Sequence, residues 1–221
     1  TSGDGKSVAS AVKTFAEAKA LLAADGGTIY ITGQVTVSSD QTWDLTGYTG
    51  AVVKRARTYT DGPLIRVEGH IVNLTLENII IDGGYNAEDV SPVKATYPLV
   101  VVSGDKQGTA NSAGGCILTM NAGTVLQNNY NSQYDGDATV YSTYESIIAS
   151  RKTYYGTFIM NGGTIKNNHA QQGGAICMAA SKSRFIMNDG SIENNTAIYG
   201  SAMSIGNIGD TTIGTIGKLD G

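Results

Sequence analysis

The chain has 221 residues, with 29 glycines, 3 prolines and 2 cysteines. That length supports one domain with a sizeable core, and so little proline excludes collagen and proline-rich linkers. A net charge of −4, with 15% charged residues, leaves no basic surface for nucleic acid or an anionic membrane.

Asn, Ser, Thr and Tyr supply the polar character instead, a surface of amides and hydroxyls typical of extracellular β-structure. Two cysteines are too few for a disulfide framework. Cys116 reads as a small buried hydrophobe. Cys116 and Cys177 are expected to be unbridged, because 177 − 116 = 61 is not a multiple of the repeat period found below. No apolar run approaches membrane-spanning length, so membrane insertion is not expected. The opening Thr1-Ser2-Gly3 carries no signal peptide, and the chain is read as a piece of a longer secreted or cell-surface protein.

Residues 1–26 form the expected N-terminal capping segment. Val8, Val12, Phe15, Ala18 and Leu22 fall at steps of 4, 3, 3 and 4, one apolar stripe that predicts a helix over 7–24. Asp25-Gly26-Gly27 ends it. Val12, Phe15 and Leu22 are expected to be buried over the open end of the core. Gly5-Lys6-Ser7 lacks the spaced glycine and preceding strand of a phosphate loop.

Residues 27–221 read as strands. Short β-like runs fall at 28–31, 34–37, 51–55, 63–67, 70–81, 97–102 and 115–120, with Gly, Asp or Asn punctuating most of them. FIMNGGTIKNN at 158–168 then returns as FIMNDGSIENN at 185–195, an offset of 185 − 158 = 27. Gly173-Gly174-Ala175-Ile176 returns at the same step as Gly200-Ser201-Ala202-Met203. LTMNAGTVLQNN at 118–129 is a looser copy. A fixed period of this kind marks a solenoid of stacked units. Phe158, Met160 and Ile165 are expected to point inward, and Ile159, Thr164 and Lys166 outward. Asn161 should stack on Asn188 and Asn168 on Asn195, and Lys166 on Glu193. Two stretches break the rhythm, near 83–96 and 130–155, and are read as loops inserted into the solenoid.

These features together predict an all-β fold: a single-stranded right-handed parallel β-helix with an N-terminal capping α-helix. GDGKSVASAVKTFAEAKALLAADGGTIYI at 3–31 resembles the opening of pectate-lyase-like right-handed β-helix proteins. LTLENIIIDGG at 74–84, then LVVVSG and the FIMNGGTIKNN repeats, resemble large surface proteins of gut Gram-positive bacteria. Phe158-x-x-Asn161, Phe185-x-x-Asn188 and Gly173-Gly174-Ala175-Ile176 are similar to the paired motifs of chlamydial polymorphic outer-membrane proteins. The resemblance implies a bacterial surface module acting in adhesion or as a stalk. Its partner would be a glycan or a host surface protein, and end-to-end association is open to such a fold.

A fold of this class also carries enzymes. A glycosidase uses two carboxyls roughly 5 to 9.5 Å apart. Asp82 and Asp89 flank the first inserted loop, and resemblance to the lacto-N-biosidases that share this fold makes them the catalytic candidates of the alternative reading. Asp-Gly is also ordinary turn chemistry. The lyase and polygalacturonase readings lack their arginine beside an acidic cluster and their Gly-His-Gly.

The main reading places ligand contact on the second loop. Tyr130, Tyr134, Tyr141, Tyr144, Tyr154 and Tyr155 concentrate half of the 12 tyrosines there, with Asp135 and Asp137. Tyrosine offers flat contact area and a polar tip, suited to sugars and protein partners. Tyr130, Tyr134, Asp135, Asp137, Tyr141 and Tyr144 are the candidate ligand residues. Two carboxylates are too few for calcium, and no metal or cofactor is expected.

Overall fold

The computed structural model describes residues 3–102, 115–131, 148–150, 156–178 and 184–205. The described residues form an all-β protein of parallel sheets with one short helix. None of its helices is long and apolar enough to cross a membrane.

The largest sheet among the described residues has nine strands. On one limb Gln41–Asp44, Asn73–Glu77, Cys116–Met120, Gly156–Lys166 and Arg184–Glu193 pair in that order, all parallel. On the other limb Thr28–Ile31, Val52–Arg55, Ile80–Asp82 and Val125–Gln127 lead to the second half of Gly156–Lys166. A six-stranded sheet runs from Val35–Val37 through Ile65–Val67, Val100–Val102, Ile148–Ser150 and Ile176–Met178 to Met203–Ile205. His169–Gln172 and Thr196–Tyr199 make a third, two-stranded sheet.

The alternation read from the sequence appears as columns of like side chains. Leu74, Leu118, Phe158 and Phe185 are register partners, and so are Leu76, Met120, Met160 and Met187. All eight are buried. Phe158 stacks on Phe185, ring centroids 5.3 Å apart. Ile159 and Ile186 pair between them, half-buried on the other face. Strand direction forces this, since successive Cβ atoms alternate faces. Lys166 and Glu193 are register partners as expected. Cys116 and Cys177 lie buried on different sheets.

Asparagine turns the corners. Asn78, Asn128, Asn167 and Asn194 all have φ between 46° and 56°, a left-handed conformation that asparagine tolerates better than other non-glycine residues. Asn161 hydrogen-bonds Asn188 through their side chains at 2.8 Å. Its backbone register partner is Asp189, because an irregularity falls at this point. Ile71 is the exception among the corners, a β-branched residue at φ 53°. It is 47% exposed, so little packing depends on it. Ile71→Asn is expected to raise stability by about 1 kcal/mol by relieving that strain, read as a higher denaturation midpoint.

The N-terminal segment differs from expectation. The single helix over 7–24 is replaced by a 3₁₀ turn at Val8–Ser10 and a six-residue helix, α1, at Phe15–Ala20. A capping box explains the late start. The Thr14 hydroxyl accepts from the Glu17 amide at 3.2 Å, and the Glu17 carboxylate accepts from the Thr14 amide at 3.0 Å. Val12, Phe15 and Leu22 are half-buried, not buried. Phe15 still stacks flat on Trp43, centroids 4.6 Å apart, and the Lys19 ammonium donates to the Asp44 carbonyl. Between this segment and the first strands lies a cleft of about 710 Å³. Sealed and dry, such a space would cost on the order of 17 kcal/mol, more than a whole domain's stability. The cap therefore leaves it open.

Candidate functional site

Two ladders of polar side chains run across the stacked strands, and the inner one leads to the candidate site. The outer one runs from Asn188 to Asn161, Asn121 and Glu77, each amide donating to the next at 2.8, 3.1 and 2.7 Å. It ends on a carboxylate, a pure acceptor. The inner one runs the other way. The Arg55 guanidinium reaches Asn129 Oδ1 at 3.5 Å, the Asn129 backbone N–H donates to Asn168 Oδ1 at 2.9 Å, and the Asn168 amide donates to Asn195 Oδ1 at 2.8 Å. It begins on a pure donor. The charge at each terminus thus matches the direction in which the amides point.

Arg55 is fully buried. It donates to the carbonyls of Gly62 at 2.8 Å and Tyr59 at 3.2 Å. Burial lowers its pKa to about 10. The neighbouring turn explains why it can reach Asn129. Asp82-Gly83-Gly84 occupies the slot where later repeats carry Asn-Asn, since Gln127 is the register partner of Asp82. A Cβ on Gly83 would lie 2.5 Å from the Asn129 Cα, so glycine is required there.

A column of rings stands just past this ladder. Tyr130 stacks on His169, centroids 4.5 Å apart and planes 15° apart. Tyr85 lies 4.7 Å away at a tilt of 34°. Two rings cannot share one face at those separations, so Tyr130 is sandwiched. The Lys94 ammonium sits 4.9 Å from the same ring centroid. Backbone pairing holds the column, with Tyr130 bridged to His169 and Ala95 to Asn131 in parallel. Tyr199 and Ile198, 60% and 53% exposed, lie on the strand paired to that of His169.

Of the residues expected to touch ligand, Tyr130 is therefore already engaged on both faces. Tyr134, Asp135, Asp137, Tyr141 and Tyr144 lie outside the described residues. Sequence reading missed Tyr85, Lys94 and His169 as neighbours of Tyr130. The signal was present: the copy at 118 precedes that at 158 by 40 residues, and 169 − 130 = 39 places His169 one repeat on.

Asp82 and Asp89 sit in different surroundings. Asp82 is 6% exposed, and both its oxygens are taken. Oδ1 accepts from the Gly84 N–H at 2.7 Å, and Oδ2 from the amides of Gln127 and Asn128, each at 2.8 Å. Asp89 pairs with Arg57 at 3.1 Å and accepts from the Asn86 amide. Arg57 also donates to the Ser91 carbonyl, which pins the loop. Among the described residues no three His, Cys, Asp or Glu side chains converge as a metal site would need. Comparison with protein-family models, with curated proteins and with solved structures finds no match.

The ring column carries a pH dependence. Burial, and secondarily the Lys94 charge, lower the His169 pKa below its ordinary value. The unfolded chain then takes up the proton first as pH falls. Stability contributed by neutral His169 is complete above about pH 6.5 and declines as pH drops toward the lowered folded value. The effect is small, since the ring is partly exposed and solvent screens it. Denaturation midpoints at pH 7.5 and 5, compared with those of His169→Gln, read it as a difference.

Proposed function

We propose that this chain is a non-enzymatic module of a secreted or cell-surface bacterial protein, acting in adhesion or as a stalk and recognising a glycan or host surface protein. Its fold in this reading is a single-stranded right-handed parallel β-helix with a short capping helix. Parallel pairing from layer to layer, at a 27-residue step for most pairs of the last two layers, supports the solenoid, and the near-universal right-handedness of parallel crossovers supports the hand. The resemblance to adhesins and to surface proteins of Gram-positive gut bacteria supports the location.

The observation that carries the choice against catalysis is the state of Asp82. A general acid or nucleophile must present an oxygen to substrate. Asp82 instead spends both oxygens on three donors of its own chain, and Asp89 is tied to Arg57. Recognition is assigned to the corner of Tyr85, Tyr130 and His169 and the loop that follows Tyr130. A glycan array read for both binding and cleavage tests this. Binding without release of new reducing ends is expected, weakened at least about tenfold in folded Tyr85→Ala/His169→Ala protein. Cleavage that disappears in Asp82→Asn would establish the lacto-N-biosidase-like alternative instead.

A further inference from the structure

Asn161-Gly162 is the only Asn-Gly pair in the chain. The other asparagines of the outer ladder, Asn121 and Asn188, precede Ala122 and Asp189. Glycine carries no side chain to screen its nitrogen, so the Gly162 nitrogen has an open approach to the amide carbon of Asn161. Asn161 is exposed, and its strand pairing is irregular on both sides. One layer on, its register partner Asp189 places Oδ1 2.8 Å from the N–H of the next residue, Gly190. A side chain at this corner therefore reaches the backbone nitrogen that follows it. The ladder opposes that movement at Asn161. Its Nδ2 donates to Asn121 Oδ1 at 3.1 Å, and its Oδ1 accepts from Asn188 at 2.8 Å.

We propose that Asn161 is a self-modification site, which deamidates through Gly162 at a rate set by the ladder. The Gly162 nitrogen bonds to Asn161 Cγ and gives up its proton. The Cγ–Nδ2 bond breaks, and ammonia leaves carrying that proton, so a succinimide remains. Water then adds to one of its two carbonyls and opens the ring, to aspartate or to isoaspartate. One water is consumed and one ammonia released. Either product sets a carboxylate against Asn121 Oδ1, acceptor facing acceptor. Asn121 cannot turn its amide over, because its Nδ2 is committed to the Glu77 carboxylate, which only accepts. Isoaspartate also lengthens the main chain of Gly156–Lys166, the strand between Cys116–Met120 and Arg184–Glu193. Modification thus weakens the seam between these layers and adds a negative charge.

The test incubates the whole chain in mildly alkaline buffer, with and without denaturant. The peptide holding residue 161 is followed by mass spectrometry, with fragmentation that separates the two products. In the folded chain, deamidation is expected at Asn161 before Asn121 or Asn188. Asn121→Ala and Asn188→Ala should each speed it severalfold, up to about tenfold, by freeing one end of the amide. Neither should change the rate in denaturant. Asn161→Asp should lower the denaturation midpoint. Adding Glu77→Gln should recover much of that loss, since glutamine can donate and so lets Asn121 turn over. Absence of product at Asn161 in the folded chain overturns the site. A folded-state rate that ignores both ladder variants overturns control by the ladder, and Glu77→Gln without recovery overturns the conflict at Asn121.

Discussion

Phe158→Ala is expected to lower stability by about 3 to 5 kcal/mol, the usual cost of truncating a buried phenylalanine. Phe158 is fully buried. It lies between Leu118 and Phe185 in one column, and its ring contacts that of Phe185. Removing it leaves a hole bounded by β-strand backbones that are hydrogen-bonded on both sides. Such walls relax little, which places the cost toward the upper end. Ile159→Ala on the opposite face should cost about 1 kcal/mol or less. Denaturant midpoints check the contrast. Equal losses at the two positions would mean that the sheet is not one-sided here. A lowered m-value alongside the lowered midpoint would show the layers on either side unfolding separately, as a one-dimensional stack permits.

Most of the architecture was legible because its signals repeat. Phe158 and Phe185, Met160 and Met187, and Asn168 and Asn195 occupy equivalent positions a constant step apart, and stacked strands must align equivalent positions. The N-terminal segment was misread because an apolar stripe does not say where a helix starts. Thr14-Phe15-Ala16-Glu17 says so locally, and that signal outranked the stripe at Val8, which is 69% exposed. Arg55 drew no site reading from the sequence beyond the absence of an arginine beside an acidic cluster. It is buried with partners at Tyr59, Gly62 and Asn129, the last 74 residues on, a long-range pairing no local pattern reveals. The Tyr130 corner was half legible. Tyrosine density marked the place, but partners from positions 85, 94 and 169 come from three separate stretches of chain. Only phase arithmetic through the inserted loop connects them.

Asn168→Asp is expected to cost about 4 kcal/mol or more, and more than Asn168→Ala. The reason is the polarity of the inner ladder. Asn168 is 2% exposed. Its amide nitrogen donates to the Lys166 carbonyl at 2.7 Å and to Asn195 Oδ1 at 2.8 Å, and its oxygen accepts from the Asn129 N–H. Alanine loses these bonds and strands the Asn129 N–H, a penalty of roughly 2 to 4 kcal/mol. Aspartate keeps that acceptor but turns a second oxygen, with charge, toward two acceptors in a buried site. The sign with pH follows. Burial among acceptors raises the folded pKa of the new carboxyl, so the folded state binds its proton first. Stability should therefore recover as pH falls through that raised value toward about 4. Glu77→Gln provides the opposite case. The outer ladder ends there by accepting from Asn121, which a glutamine oxygen does as well, so the change should be within about 0.5 kcal/mol. Reversal of this order, with Glu77→Gln the more costly, would mean that the amides of the two ladders point the other way.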